Sequence, residues 1–254
     1  MKIAVAGKGG AGKTFVAAGF ARLYAGMGYQ VYAVDAEPGG SLGPELGLSR
    51  HEIDAVRPIM VMREFIDDRR GDGALYLMNP NVGGAADQFS ADAGGVRFLK
   101  MADIKPAGSS CYCEEHGFLL ALMNSLLLGE RDVVILDMGA GVEHLARGTC
   151  RGADLMLVVT EATRAGVEMA RAIRALSAGL GIGQVLVVAN KIHSEKEELF
   201  IRANFHRVEL LGLLHESKEA ADRAIGIGGR GSAGDPWMPE FEALYERLTS
   251  KEAT

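Results

Sequence analysis

The sequence predicts a single α/β domain over residues 1–254, with a mostly parallel sheet and helices on both faces. Three observations predict it. The apolar run Ile3-Ala4-Val5-Ala6 leads into the glycine-rich stretch Gly7 to Thr14 (GKGGAGKT) and then into an alanine-rich helical pattern reaching about Gly26. Two β-rich runs, Gln30 to Asp35 and Asp132 to Asp137, each end in an acid. Leu155 to Thr160 and Gln184 to Ala189 are continuous apolar runs separated by a helical pattern over Arg164 to Leu180, the alternation that a buried parallel sheet produces.

Strand, glycine loop and helix in that order fit G-x-x-x-x-G-K-[ST], a P-loop, with Gly7, Gly12, Lys13 and Thr14 at the fixed positions. Glycines let Gly9, Gly10, Ala11 and Gly12 wrap tightly enough for backbone N–H groups to face one phosphate chain, helped by the positive end of the following helix. Lys13 would neutralise the β and γ oxygens of ATP, and the Thr14 hydroxyl would ligate Mg²⁺. Phe15 adjoins the α-phosphate position. Lys8 is a second lysine that the loop's own phosphates do not need, and it gives the pattern G-K-G-G-x-G-K-[ST]. On this loop the sequence resembles the MinD/ParA/nitrogenase-iron-protein class of deviant Walker A ATPases. The resemblance implies a homodimer in which Lys8 crosses the two-fold interface to the partner's nucleotide. A cation supplied in trans in this way is worth roughly 10³ to 10⁵ in rate in comparable phosphoryl-transfer sites.

Composition bounds the rest. A chain of 254 residues with 48% hydrophobic content can bury one sizeable core. The formal net charge of −6 argues against a nucleic-acid partner held by a basic surface. The sequence contains no apolar run of the roughly 18 residues a membrane span needs, and Met1 is followed at once by a core strand, which reads as a cytoplasmic protein without signal peptide or membrane partner. Three cysteines make no disulfide framework at this length, and two of them, Cys111 and Cys113, stand one residue apart.

Taken in order, the first helix, Lys13 to about Met27, carries Val16, Phe20, Leu23 and Tyr24 at core spacing, and Gly26 and Gly28 end it. Asp35 closes the next strand, and Glu37 follows two residues on. A carboxylate at the C-terminal end of a parallel strand lies where open α/β sheets bind ligands, so both acids fall beside the phosphates. In the resembling class this is the Asp-x-Asp of switch I. Glu37 departs from it by one methylene, which predicts slow hydrolysis with the attacking water held less well. Short helices are expected around Pro44 to Leu48 and Ile59 to Ile66, and the Asp67-Asp68-Arg69-Arg70 run reads as a solvated helix end. Ala74 to Met78 and Val96 to Met101 read as strands separated by the small and polar stretch Asn79 to Gly95.

Cys111-Tyr-Cys113 sits in a loop flanked by serines, acids and glycine, with Glu114 and His116 beside it, before an apolar helix over Phe118 to Leu128. Buried structural cysteines prefer apolar surroundings, so this setting favours thiolate ligands. Two thiolates fill half of a tetrahedral site, and a two-fold axis through the loop would supply the other two. Asp137 ends a Walker B strand that would hold Mg²⁺ through a water, and the small residues after it suit a switch that senses the γ-phosphate. Asn190 and Lys191 follow the strand Gln184 to Ala189, where a side-chain amide could read the adenine edge. Val208 to Leu213 is the last strand, Leu214-His215-Glu216 is a loop over the base, and Gly226 to Asp235 is a glycine-rich stretch. A closing helix from about Pro239 to Leu248 places Phe241, Leu244, Tyr245 and Leu248 on one stripe, read as core rather than membrane anchor.

Cys111-x-Cys113 combined with Asp137-Met-x-Ala-Gly141-x-Glu143-His144-Leu-x-Arg147-Gly148-Thr149 is similar to the CooC family of carbon monoxide dehydrogenase nickel-insertion ATPases. The resemblance implies paired C-x-C motifs that bind Ni²⁺ or Zn²⁺ at the dimer interface, ATP turned over to ADP, and apo carbon monoxide dehydrogenase or a related metalloenzyme as client. Two other readings stand beside it. An iron-protein-like reductase would hold an intersubunit iron-sulfur cluster with a cysteine just after the Walker B strand, where this chain has His144; Cys150 reads as a helix-face cysteine. A ParA/MinD-like positioning ATPase predicts a basic patch or a C-terminal amphipathic anchor.

Overall fold

A computed structural model describes residues 1–37, 39–59, 89–101, 129–140, 150–224 and 234–252. In chain order its elements are β1 (Lys2–Gly7), α1 (Lys13–Gly26), β2 (Gln30–Asp35), α2 (Leu42–Glu45), α3 (Arg50–Ala55), β3 (Ala91–Asp92) and β4 (Val96–Lys100). They continue with β5 (Asp132–Asp137), β6 (Leu155–Thr160), α4 (Arg164–Ser177), β7 (Gln184–Ile192), α5 (Glu195–Asn204), β8 (Leu210–His215), α6 (Lys218–Ala224) and α7 (Met238–Glu252). All the strands join one eight-stranded sheet in the order β3-β4-β2-β5-β1-β6-β7-β8. Every pairing is parallel except β3 with β4. The expected α/β sheet is therefore present, and β1 lies at its middle, between β5 and β6.

The strands are apolar throughout because the sheet is covered on both sides. Along β1 the side chains alternate: Ile3 and Val5 join a core with Phe20, Tyr24 and Phe241 of α1 and α7. Ala4 and Ala6 join a second core with Val167 and Ile173 of α4 and Ile201 of α5. The helical stripes read from the sequence are buried where expected, including Val16, Phe20, Leu23 and Tyr24 of α1. Phe241, Leu244 and Leu248 of α7 are likewise core. Aromatic rings knit α1 to α7, with Phe15 5.7 Å from Trp237 and 5.6 Å from Phe241 between ring centroids. Tilted and edge-to-face rings at such distances add a favourable quadrupole interaction to their burial. Among the described residues no helix is long and apolar enough to cross a membrane.

Several boundaries differ from expectation. β7 runs on through Asn190 and Lys191 to Ile192, so these two residues lie in the strand and not after it. β8 includes His215, which the sequence places in a loop. The stretch read as small and polar contributes the two-residue β3, paired antiparallel through Ala91 with Phe98. Cys150 lies in a buried turn and not on a helix face. The expected strand at 74–78, residues 60–66, the 67–70 charge run and the helix at 118–128 lie outside the described residues.

Candidate functional site

Where β1 gives way to α1, the chain makes a tight turn in which the Ala11 N–H donates to the Lys8 carbonyl at 3.2 Å. Gly10 takes φ 82° at the third position of this turn, a backbone that side chains other than glycine resist. α1 begins at Gly12, itself at φ 92°, with no side-chain cap and no acid in its first turn. Three other helices are built otherwise, with Ser49 capping α3, Thr163 capping α4 and Ser194 capping α5, although the four-residue α2 is likewise without a side-chain cap. The amides and positive dipole end of α1 are thus left for an external anion. Gly12 is also required for space, since a Cβ there would lie 2.1 Å from Asn190 Nδ2.

A cleft of about 440 Å³ opens over this helix start. Its phosphate-side wall is Gly9, Gly10, Gly12, Lys13, Thr14 and Phe15; Glu37 and Ala140 face it, and Asn190, Lys191, His215, Glu216 and Ser217 close the far side. Of the loop residues singled out in the sequence, Ala11 is fully buried beneath the turn. Phe15 both packs against Trp237 and lines the cleft. Lys8 is half-buried and is not among the lining residues, whereas Lys13 is. A larger cleft, about 660 Å³, lies on the other side of Glu37 and contains no P-loop residue, so the smaller one is the cleft that the glycine loop opens into.

The two strand-end acids meet beside the loop because β2 and β5 are paired with Asp35 opposite Asp137. Asp137 Oδ2 accepts the Thr14 hydroxyl at 2.7 Å, and its Oδ1 is buried with no hydrogen-bond partner among the described residues. Burial pushes the Asp137 pKa up to about 6, against the pull of the Thr14 hydrogen bond and of Lys13. Burial and then the charge of Asp137 push Asp35 to about 7, although its oxygens accept the N–H groups of Glu37 and Leu42 at 3.2 and 3.3 Å. A buried carboxylate with one unused oxygen next to a hydroxyl, at the edge of a phosphate cradle, is a donor set suited to a hydrated Mg²⁺. Glu37 is exposed at the cleft.

Asn190 and Lys191 line the cleft beside the loop. Asn190 is buried and donates to the Ala11 carbonyl at 2.9 Å, so one of its two N–H bonds is committed to the loop. Lys191 has φ 57° and donates from Nζ to the Gly10 carbonyl at 2.6 Å and to Glu161 at 3.0 Å. Glu161, the residue after β6, went unrecognised in the sequence. Its only signal there was an acid at the end of an apolar run, the feature that did single out Asp35 and Asp137.

At the His215 and Glu216 end of the cleft lies a group of paired histidines and acids, of which the sequence singled out only these two. Glu197 accepts both the backbone N–H and the ring Nδ1 of His193, at 2.7 and 3.2 Å, while His193 Nε2 meets Glu216 at 2.7 Å. His215 repeats the pattern with Glu240 at 3.0 and 2.7 Å and with Glu198 at 3.2 Å. Carboxylates only accept, so these contacts favour the ring protonated on both nitrogens, and both histidine pKa values are raised, first by the hydrogen bonds to Glu197 and Glu240. Stability from a histidine raised in the fold is fully present below its unfolded value, 6.5, and is lost as pH rises through the folded value. Thermal melts of the nucleotide-free protein are expected to fall above that pH, with His215→Gln flattening this limb; an unchanged slope in the variant would remove His215 as its cause.

Cys111, Cys113, Glu114, His116 and residues 141–149, with Glu143, His144 and Arg147, lie outside the described residues. Among the described residues no group of three or more histidine, cysteine or acidic side chains is arranged to hold a metal ion. Cys150 is a free thiol whose burial pushes its pKa up to about 11, so it stays protonated at neutral pH, the opposite of what a cluster ligand needs.

Comparison with known proteins agrees with this geometry. Residues 2–225 match the model of the CobQ/CobB/MinD/ParA nucleotide-binding domain. The chain is 34% identical over 230 residues, 88% of each chain, to the carbon monoxide dehydrogenase accessory protein CooC of Rhodospirillum rubrum. It is 35% identical over 204 residues, 78% of each chain, to an ATP-binding protein of Methanocaldococcus jannaschii. Among solved structures, a ParA family ATPase from Chlorobium tepidum superposes with TM-score 0.70 at 15% identity, covering 97% of this chain and 98% of that one. The MinD cell division protein of Aquifex aeolicus gives 0.67 at 19% identity, covering 98% and 96%, and both show the same fold. The chain thus belongs to the CobQ/CobB/MinD/ParA nucleotide-binding family, as a P-loop ATPase similar to CooC.

Proposed function

We propose that this ATPase is a dimeric metallochaperone that carries Ni²⁺ or Zn²⁺ and assists nickel insertion into a carbon monoxide dehydrogenase or a related client. The observation that carries the reading is the similarity to CooC along 88% of the chain, joined to Cys111-x-Cys113 within the same ATPase frame. The whole chain, 1–254, acts as one ATPase unit. In it Lys13 balances the charge of the β and γ oxygens, and Gly9 to Phe15 bind the phosphates through backbone amides. Thr14 and Asp137 would hold Mg²⁺, which supplies charge neutralisation at the transferred phosphoryl group. Asp35 shapes the turn that presents Glu37, and Glu37 orients the attacking water. Lys8 reaches the partner's nucleotide.

Coupling follows from linkage. If ATP draws two subunits together and closure brings four thiolates within bonding range, metal held there favours the ATP-bound dimer by the same factor. Hydrolysis then loosens the interface and frees the ion for the client. Soft thiolates suit nickel and zinc alike. The test is a nickel and zinc titration of the reduced protein, with and without a non-hydrolysable ATP analogue, following thiolate-to-metal absorption and molecular mass. One metal per two chains is expected, tightened by nucleotide and lost in Cys113→Ser. Binding by monomers that the substitution leaves untouched would overturn the cargo reading and leave a dimeric ATPase with a protein partner.

A further inference from the structure

We propose that Asn190, Lys191 and Glu161 form a brace against the P-loop, with Glu161 a positioning residue that acts through Lys191 on the loop's affinity for the β-phosphate. This rests on the cleft being the nucleotide site. Two consecutive residues of β7 hold two consecutive loop carbonyls, Asn190 that of Ala11 at 2.9 Å and Lys191 that of Gly10 at 2.6 Å. In a trans peptide the C=O and the following N–H point opposite ways. Drawing the Ala11 carbonyl towards β7 therefore turns the Gly12 N–H away from that strand and leaves it available to a phosphate. Fixing the Gly10 carbonyl in turn holds the glycine turn that the Ala11 N–H to Lys8 bond closes.

The strand itself is deformed to make these contacts. Lys191 is the sole non-glycine residue with positive φ among the described residues, at 57°. The pairing of β7 with β8 is irregular across the same place, between Ala189 and Ile192. Such a backbone persists only where surrounding interactions over-determine it, and it gathers at functional sites. Here the compensating interactions are the two bonds from Lys191 Nζ. Glu161 supplies one of them from the end of β6, the neighbouring strand, and holds the ammonium over the loop. The preorganised loop then meets the phosphate without first ordering its own carbonyls.

A base contact and a loop brace are distinguishable by nucleotide length, because ADP engages the loop through its β-phosphate and AMP cannot. Calorimetric titration of Lys191→Met is expected to weaken ADP about tenfold, the size of one charge-assisted hydrogen bond, and AMP less than about twofold. Glu161→Gln, conservative and partly exposed, should weaken ADP about threefold. The double variant should be no weaker than Lys191→Met alone, since Glu161 acts through the lysine. Equal losses for ADP and AMP would overturn the brace in favour of a base-reading role. Additive losses would overturn the positioning role of Glu161. Failure of the wild type to bind ADP would instead strike the nucleotide reading of the cleft.

Discussion

Replacing Asp137 with asparagine is expected to cut ATP hydrolysis by at least about a hundredfold, the scale of losing one positioned charge in a phosphoryl-transfer or oxyanion site, while raising the melting temperature of the nucleotide-free protein. The two effects share one cause. Asp137 ends β5 with its carboxylate buried, one oxygen taking the Thr14 hydroxyl and the other unpartnered. Burial lifts its pKa from 3.8 to about 6, so at neutral pH the fold carries an ionised group that the unfolded chain would hold more cheaply. A shift of that size corresponds to roughly 3 kcal/mol. Asparagine removes the charge but brings an N–H pair with no buried acceptor, which returns about 1 to 3 kcal/mol of cost. The net gain is therefore small, about 1 kcal/mol or roughly 3 °C in a domain of this size.

The pH dependence identifies the source. A carboxyl raised in the fold favours folding below its unfolded pKa, and that contribution is lost as pH rises through the folded value, here between 3.8 and about 6. The cost of the ionised Asp137 is full at pH 8 and about half as large at pH 5, so the net advantage of Asp137→Asn should be present at pH 8 and gone at pH 5. Melting curves of both proteins at the two pH values decide the matter. A variant that melts lower at both, by the same margin, would mean that Asp137 is paid for by contacts in the nucleotide-free fold and is not held in reserve for a metal.

Much of this site was legible in the sequence because its parts are local. A P-loop is one strand, one turn and one helix, and Gly12, Lys13 and Thr14 stand at positions that elementary phosphate chemistry fixes. Asp35 and Asp137 were legible because an apolar run that stops at an acid marks the C-terminal edge of a parallel strand. Lys191 was misplaced for the converse reason. Polarity ends the apolar run at Ala189, yet the backbone ladder continues to Ile192 through an irregular pairing that no side-chain pattern reports. Glu161 and Lys191 are 30 positions apart, and only the adjacency of β6 and β7 makes them partners. The histidines with their four glutamates were hidden in the same way, since α5, α7 and the ends of β7 and β8 meet only in the folded sheet. β3 is two residues long, too short for alternation to announce it.

Lys8→Ala is expected to leave the affinity of one subunit for ADP within about threefold, to abolish ATP-dependent dimer formation and to lower turnover by about a thousandfold, the lower end of what a cation given in trans contributes. The expectation comes from an asymmetry between two lysines of one loop. Lys13 lines the cleft of its own chain, and Lys8 does not, although its backbone anchors the turn above that cleft. A lysine placed beside a phosphate site but outside it is free to serve a second site across a two-fold axis. Mixing the two inactive variants separates this from any local effect. In a dimer of Lys8→Ala with Asp137→Asn, the first subunit keeps its own Asp137 and receives an intact Lys8 from its partner, while the second lacks both. Half of the dimers in an equal mixture would be of this kind, each with one complete site, so about a quarter of the native rate should return. If Lys8 served the nucleotide of its own chain, every site in the mixture would lack a required group. Turnover would then stay at the level of the separate variants, and the dimeric mechanism would fail with it.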